Sequence, residues 1–187
     1  PEGELPATLT ARDDARDLAV LKVSGRHVPA LASLRWNIND LSLGDDVVLL
    51  GYPGQEGAAG QASFVKTKVN GLVGPNGEAG ILQLDSVARQ GNSGGPVLDT
   101  NGNVIAVITG KAQTYKTDAT GKPTGEPIRS ADIAITLEAL QDFLRQHQVA
   151  FYQAPSSGGG FGDRILQQNA AKFIVPIRCI QGTKHAA

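Results

Sequence analysis

The sequence predicts an all-β domain followed by one C-terminal helix, and three observations carry that expectation. Apolar residues come in short runs, LAVLKV at 18–23, VVLL at 47–50 and ILQL at 81–84, rich in Val, Leu and Ile and bounded by Gly, Pro, Asp or Ser. Runs this short between turn formers favour strands over helices. The 187 residues include 23 Gly and 10 Pro, the composition of a chain with many turns. Three Asn-Gly pairs, at 70–71, 76–77 and 101–102, supply the positive φ that tight hairpin turns demand.

Taken in order, 18–23 is the first clear strand, 47–50 a second that stops at Gly51 and Pro53, and 81–84 a third. The best hairpin joins Val97-Leu98 to 104–108 around Asn101-Gly102. Residues 111–129 are polar and rich in Thr, Gly, Lys and Pro, which predicts a long surface loop, and long loops on a β scaffold often carry recognition. A strand at 133–135 leads into the helix, with Thr136 as N-cap and Leu137, Leu140, Phe143 and Leu144 at helical spacing through His147. PSSGGG at 155–160 reads as a flexible linker. KFIVPIRCI at 172–180 is β-like but holds Pro176, which makes it an edge strand or the start of another module. Trp36, the single tryptophan, is expected to pack inside the fold.

Composition narrows the function. The length suits one domain that buries about 70% of its unfolded surface. A net charge of -1 offers no basic field for nucleic acid, and no apolar stretch reaches transmembrane length. One cysteine, Cys179, and three scattered histidines support neither a disulfide framework nor a metal site, and no cofactor is expected. The glycine-rich run at 54–60 has no following Lys-Ser/Thr, so it reads as a surface loop and not a phosphate cradle. The chain has no methionine and starts at Pro1, which marks it as a processed or partial product and leaves its compartment open.

The chemistry concentrates in Gly91-Asn92-Ser93-Gly94-Gly95-Pro96, just before the strand at Val97. A nucleophilic serine needs a backbone bend whose amides converge on the oxygen of the attacked carbonyl, and flanking glycines allow both the bend and close substrate approach.

GNSGGPV followed by a hairpin and a terminal helix resembles the trypsin-like (chymotrypsin-fold) serine peptidases, closest to the disulfide-free bacterial HtrA-like group. DLAVLKV at 17–23 resembles the strand that opens with the triad aspartate, and GELPA at 3–7 the strand before it. LGDDV at 43–47 through GYPG at 51–54 resembles the junction of two barrels, ILQLD at 81–85 the strand before the nucleophile loop, and DIAI at 132–135 the strand before the last helix. The similarity spans roughly residues 3–149. It implies a double β-barrel with the first barrel truncated: 1–50 from the first barrel, 51–149 the second barrel and helix, 150–164 a linker, and 165–187 a tail or new module.

The resemblance also implies roles. Ser93 is the expected nucleophile, the N–H groups of Gly91 and Ser93 the oxyanion hole, and Asp17 the orienter of a histidine, ahead of its rivals Asp13 and Asp14. Val87, Ile108, Thr109 and Gly110 are expected to wall the substrate pocket. Val87 stands where Lys or Arg specificity would need an acid, so a small or medium apolar P1 residue is expected. Protein or peptide substrates follow, and a periplasmic or secreted setting is compatible with the resemblance. One departure is large: no histidine precedes Asp17, and His27, His147 and His185 lack the family's small-residue context. The expected outcome is a serine endopeptidase whose histidine lies in a missing upstream segment, so that this chain alone is inactive. The alternative is a pseudopeptidase that binds protein segments.

Overall fold

The computed structural model describes residues 4–25, 30–37, 39–53, 62–85, 87–156 and 158–179. Strands β1 (Ala7–Asp13) and β2 (Leu18–Val23) form an antiparallel hairpin that stands as its own two-stranded sheet. β3 (Ser33–Arg35) follows. Six strands then close on themselves: β4 (Asp46–Gly51), β5 (Ser63–Gly71), β6 (Ile81–Asp85), β7 (Pro96–Leu98), β8 (Val104–Thr117) and β9 (Pro123–Thr136). The ladder runs β8-β7-β4-β5-β6-β9, and β9 pairs back onto β8, which removes free edges from the barrel. The expected architecture holds, a whole barrel beside the remainder of another. The whole one begins with β4 at Asp46, a little before residue 51.

VVLL is a continuous apolar run because both faces of β4 are covered. Val47 and Leu49 belong to the barrel interior with Val69, Leu84 and Ile108, while Val48 and Leu50 pack with Leu98, Leu137 and Leu166. That outer layer comes from two helices. In α1 (Leu137–Gln146), Thr136 caps the N-terminus by accepting from the Ala139 amide, Glu138 and Arg145 suit the helix dipole, and Leu137 and Phe143 are buried. Phe143 also meets Leu18 and Ile135, so the β1–β2 hairpin docks against the barrel through α1. Each fully buried Leu or Phe of this kind contributes about 1.5–3 kcal/mol. α2 (Asp163–Ala170) covers the other side with Leu166 and Ala170.

Four sequence expectations change. Residues 111–129 are no loop: β8 and β9 continue as a two-stranded ribbon from Lys111↔Asp132 out to Thr117↔Pro123, closed by a turn at Gly121. The described residues of 150–164 are fastened and not free. β10 (Tyr152–Ala154) pairs in parallel with β3, Phe161 N–H donates to Thr100, and Ser156 binds Asp99. Residues 174–179 follow a turn at Phe173, take no regular secondary structure and join no ladder. Trp36 is 69% exposed and packs no core. Of the Asn-Gly pairs, Gly77 and Gly102 do take positive φ in turns, whereas Asn70-Gly71 sits at a bulge where β5 meets β6. The run at 54–60 lies outside the described residues.

Candidate active site around Ser93

The loop that carries Ser93 joins β6 to β7 and is drawn tight by main-chain bonds. Asn92 N–H donates to Arg89 (3.0 Å), Gly95 N–H to Asn92 (2.9 Å) and Gly94 N–H to Ile108 (2.7 Å), while Ile108 N–H returns to Gly95 (3.0 Å). Two glycines are required by space. Gly91 has φ +95°, and a Cβ there would overlap the Tyr52 carbonyl oxygen; a Cβ on Gly95 would overlap the Leu50 carbonyl. The loop therefore lies directly on β4 and its exit. Asn92, 1% exposed, stiffens it from within: its Oδ1 accepts from Arg89 N–H (3.3 Å) and its Nδ2 donates to Ser63 Oγ (3.4 Å).

This folding turns Ser93 outward, exposed, between two left-handed glycines, Gly91 and Gly94. Among the described residues the N–H groups of Gly91 and Ser93 donate to no carbonyl, so both remain available to an incoming oxygen. Ser93, Gly91 and Gly94 open on a cavity of about 1050 Å³ that Tyr52, Leu140 and residues 173–179 also line. None of the four residues expected to wall the pocket, Val87, Ile108, Thr109 and Gly110, lines that cavity. Ile108 is buried in the barrel interior, and the other three are half-buried.

Asp17 ends the tight turn between β1 and β2, exposed, with φ +54°, a left-handed conformation that Asp tolerates better than most residues. It immediately precedes β2. Its rival Asp13 is engaged locally, its Oδ1 accepting from the amides of Ala15 and Arg16, and Asp14 pairs with Arg12. Of the histidines, His147 ends α1, its ring 4.8 Å from that of Phe143. His27 and His185 lie outside the described residues. Among the described residues no cluster of His, Cys, Asp or Glu could hold a metal ion.

Three contributors escape the sequence reading. Tyr52 binds the loop through its N–H to Gly91 (3.2 Å). Asn92 is the buried brace just described. Asp132 is wholly buried, and its Oδ2 accepts from the N–H groups of Val87 (2.7 Å) and Ala88 (2.5 Å). A buried carboxylate thus lies against the Val87 amide, although it lines no part of the cavity at Ser93. The sequence signal was there: one acid set among Ala131, Ile133, Ala134 and Ile135.

Known proteins match this arrangement. Residues 2–107 match the trypsin-like peptidase domain family. An uncharacterized protein y4bJ of Sinorhizobium fredii is 31% identical over 175 residues, 94% of this chain and 26% of that protein. Serine protease Do-like HtrB of Bacillus subtilis is 30% identical over 177 residues, 85% of this chain and 38% of that one. Among solved structures, the HtrA-type protease AlgW with a decapeptide superposes with a TM-score of 0.54 at 23% identity, over 76% of this chain and 40% of that one, a likeness of fold. The chain spans 26% and 38% of the length of these two curated relatives. With the closed barrel, the GNSGGPV loop and the terminal helix, these matches show that the chain belongs to the trypsin-like peptidase family, on the side of its HtrA-group members.

Proposed function

We propose that this chain supplies the nucleophile half of a serine endopeptidase. Ser93 Oγ gives its proton to the base and attacks the peptide carbonyl, the amides of Gly91 and Ser93 hold the resulting oxyanion, the C–N bond breaks as the amine leaves with that proton, and water then hydrolyses the acyl-Ser93 ester. Each such donor contributes about 3 kcal/mol of transition-state stabilisation. The observation that carries the reading is the exposed Ser93 held between left-handed glycines beside two N–H groups with no carbonyl partner among the described residues. Asp17 orients a histidine from outside these 187 residues and stabilises the cation it becomes on taking the Ser93 proton, since a serine hydroxyl needs a general base and no histidine precedes Asp17. The half-buried Val87, Thr109 and Gly110 bound P1 outside the cavity at Ser93, and Ile108 backs them from the barrel interior. Asp132 already serves two amides, with Lys111 Nζ 3.6 Å from its other oxygen, so a small or medium apolar P1 side chain suits the pocket better than Lys or Arg.

Fluorophosphonate labelling tests this. The chain joined to its histidine-bearing segment takes the label at Ser93, Ser93→Ala abolishes it, and the chain alone stays unlabelled. Labelling of the chain alone at Ser93 would refute the need for an outside base. A second reading is a pseudopeptidase that holds polypeptide, favoured by the cavity at Ser93 being lined by residues 173–179 of the chain itself. The AlgW structure, with its decapeptide, shows that a related fold takes peptides. Peptide binding by the joined protein without labelling or turnover would select this second reading.

A further inference from the structure

Asp132 is a costly residue for its place. It lies in β9 with Lys111 of β8 on one side and Leu84 of β6 on the other, and has no solvent-exposed surface. Ala131, Ala134 and Ile135 around it are buried and apolar. A carboxylate kept there must be matched by hydrogen bonds and opposite charge, or the fold loses stability. Oδ2 is matched twice, by the amides of Val87 and Ala88. Oδ1 is buried without a hydrogen bond, and its compensation is Lys111 Nζ at 3.6 Å, on a side chain 41% exposed.

Those two amides open the segment that ends in Ser93. Downstream, the loop is tied by the exchange of bonds between Gly94, Gly95 and Ile108. Upstream, β6 ends at Asp85, and the Asp132 carboxylate holds the next described residues. Without it, the loop keeps the turn from Asn92 to Arg89, the Asn92 side chain and the Tyr52 N–H on Gly91, but loses its hold on 87 and 88, the residues that lead into the oxyanion amides. An apolar residue at 132 would suit the barrel but could hold neither amide. We infer that Asp132, compensated by Lys111, is the positioning residue of the nucleophile loop and fixes the oxyanion amides of Gly91 and Ser93 from behind. As a statement about catalysis it rests on the peptidase reading; as a statement about the loop it does not.

The experiment separates the two. Amide hydrogen exchange is followed in the full chain for wild type, Asp132→Ala, Asp132→Asn and Lys111→Gln. Asp132→Ala is expected to speed exchange across 87–95 by about tenfold or more while the amides of α1 keep their protection. Asp132→Asn, which retains a carbonyl oxygen for the two amides, is expected to stay within about threefold of wild type, and Lys111→Gln to fall between. In the protein joined to its histidine-bearing segment, the Ser93 acylation rate should follow the same order. Exchange that rises evenly over the barrel and α1, or a loop that Asp132→Ala leaves unchanged, overturns the inference. Should Asp132→Ala fail to fold, Asp132→Asn and Lys111→Gln decide: a folded Asn variant with a loop as loose as an unanchored one overturns it. Wild-type protein that never labels sinks the peptidase reading, and loop exchange still decides the anchoring.

Discussion

Tyr52 Oη donates to the carbonyl of Ile174, 3.3 Å away, while the N–H of the same residue donates to Gly91. One residue, through its hydroxyl and its main-chain N–H, thus ties the segment 173–179 to the loop of Ser93, and the two share a cavity. Phe173 and Ile174 add contacts with the outer apolar layer, and Arg178 pairs with Glu4.

Tyr52→Phe removes only the hydroxyl. A neutral hydrogen bond contributes about 1 kcal/mol, so undocking of the segment should rise by about fivefold without loss of the barrel. Cys179, the single cysteine and exposed, accepts a thiol dye that reports on it. Lower anisotropy of that dye in Tyr52→Phe than in wild type is the expected result, and equal anisotropy would count against the tether.

Gly95 and Gly94 are neighbours with different reasons to be glycine. A Cβ on Gly95 would overlap the Leu50 carbonyl, which is backbone and cannot move aside, so Gly95→Ala should cost about 2–3 kcal/mol. Gly94 has φ +81° and nothing within 4 Å of a would-be Cβ, so Gly94→Ala should cost only the left-handed strain of about 1–2 kcal/mol. Urea denaturation midpoints measure both, and a Gly94→Ala variant less stable than Gly95→Ala would contradict the packing of this loop on β4.

What the sequence disclosed was local. VVLL and the Thr136 helix could be read because burial on both faces, or on one helical stripe, leaves its period in the residues. The ribbon beyond Lys111 could not, since with most side chains exposed on both faces it carries no apolar alternation, and Lys, Thr and Gly there look like a loop. Trp36 misled for the opposite reason: a large apolar residue is expected inside, yet single exposed ones are ordinary. The GNSGGPV motif showed where Ser93 stands but nothing of its supports. Asp132 lies far along the chain from the amides it holds, and only the closing of β9 between β6 and β8 brings them together.

The attachment of 150–164 rests on Asp99. This residue, 4% exposed, accepts from the N–H groups of Asn101 and Asn103 at 2.9 Å each and binds the Ser156 hydroxyl, while Asn103 Nδ2 donates to the Pro155 carbonyl (3.3 Å). Asp99→Ala leaves two amides without their acceptor, a loss of about 1–3 kcal/mol, and frees the glycines at 158–160. Limited proteolysis should then cut near 158–160 faster than in wild type, with Ser156→Ala intermediate. A cut rate unchanged in Asp99→Ala would show that the segment is held by other means.

The tip of the β8–β9 ribbon should respond to acid. The Asp118 carboxyl is held below its ordinary value of 3.8, first by the Thr120 hydroxyl and then by the amides of Lys122 and Thr120. A carboxyl lowered by folding adds stability that is present above the unfolded value and is lost as pH falls through the folded one. The turn at Gly121 should therefore stay ordered down to about pH 4 and loosen below it, the loss continuing under the ordinary carboxylate range. Amide NMR shifts of Thr120 and Lys122 should titrate together in that window. Asp118→Asn should flatten both curves, because an amide keeps an acceptor but has no proton to gain, and curves that persist in Asp118→Asn would assign the transition to another group.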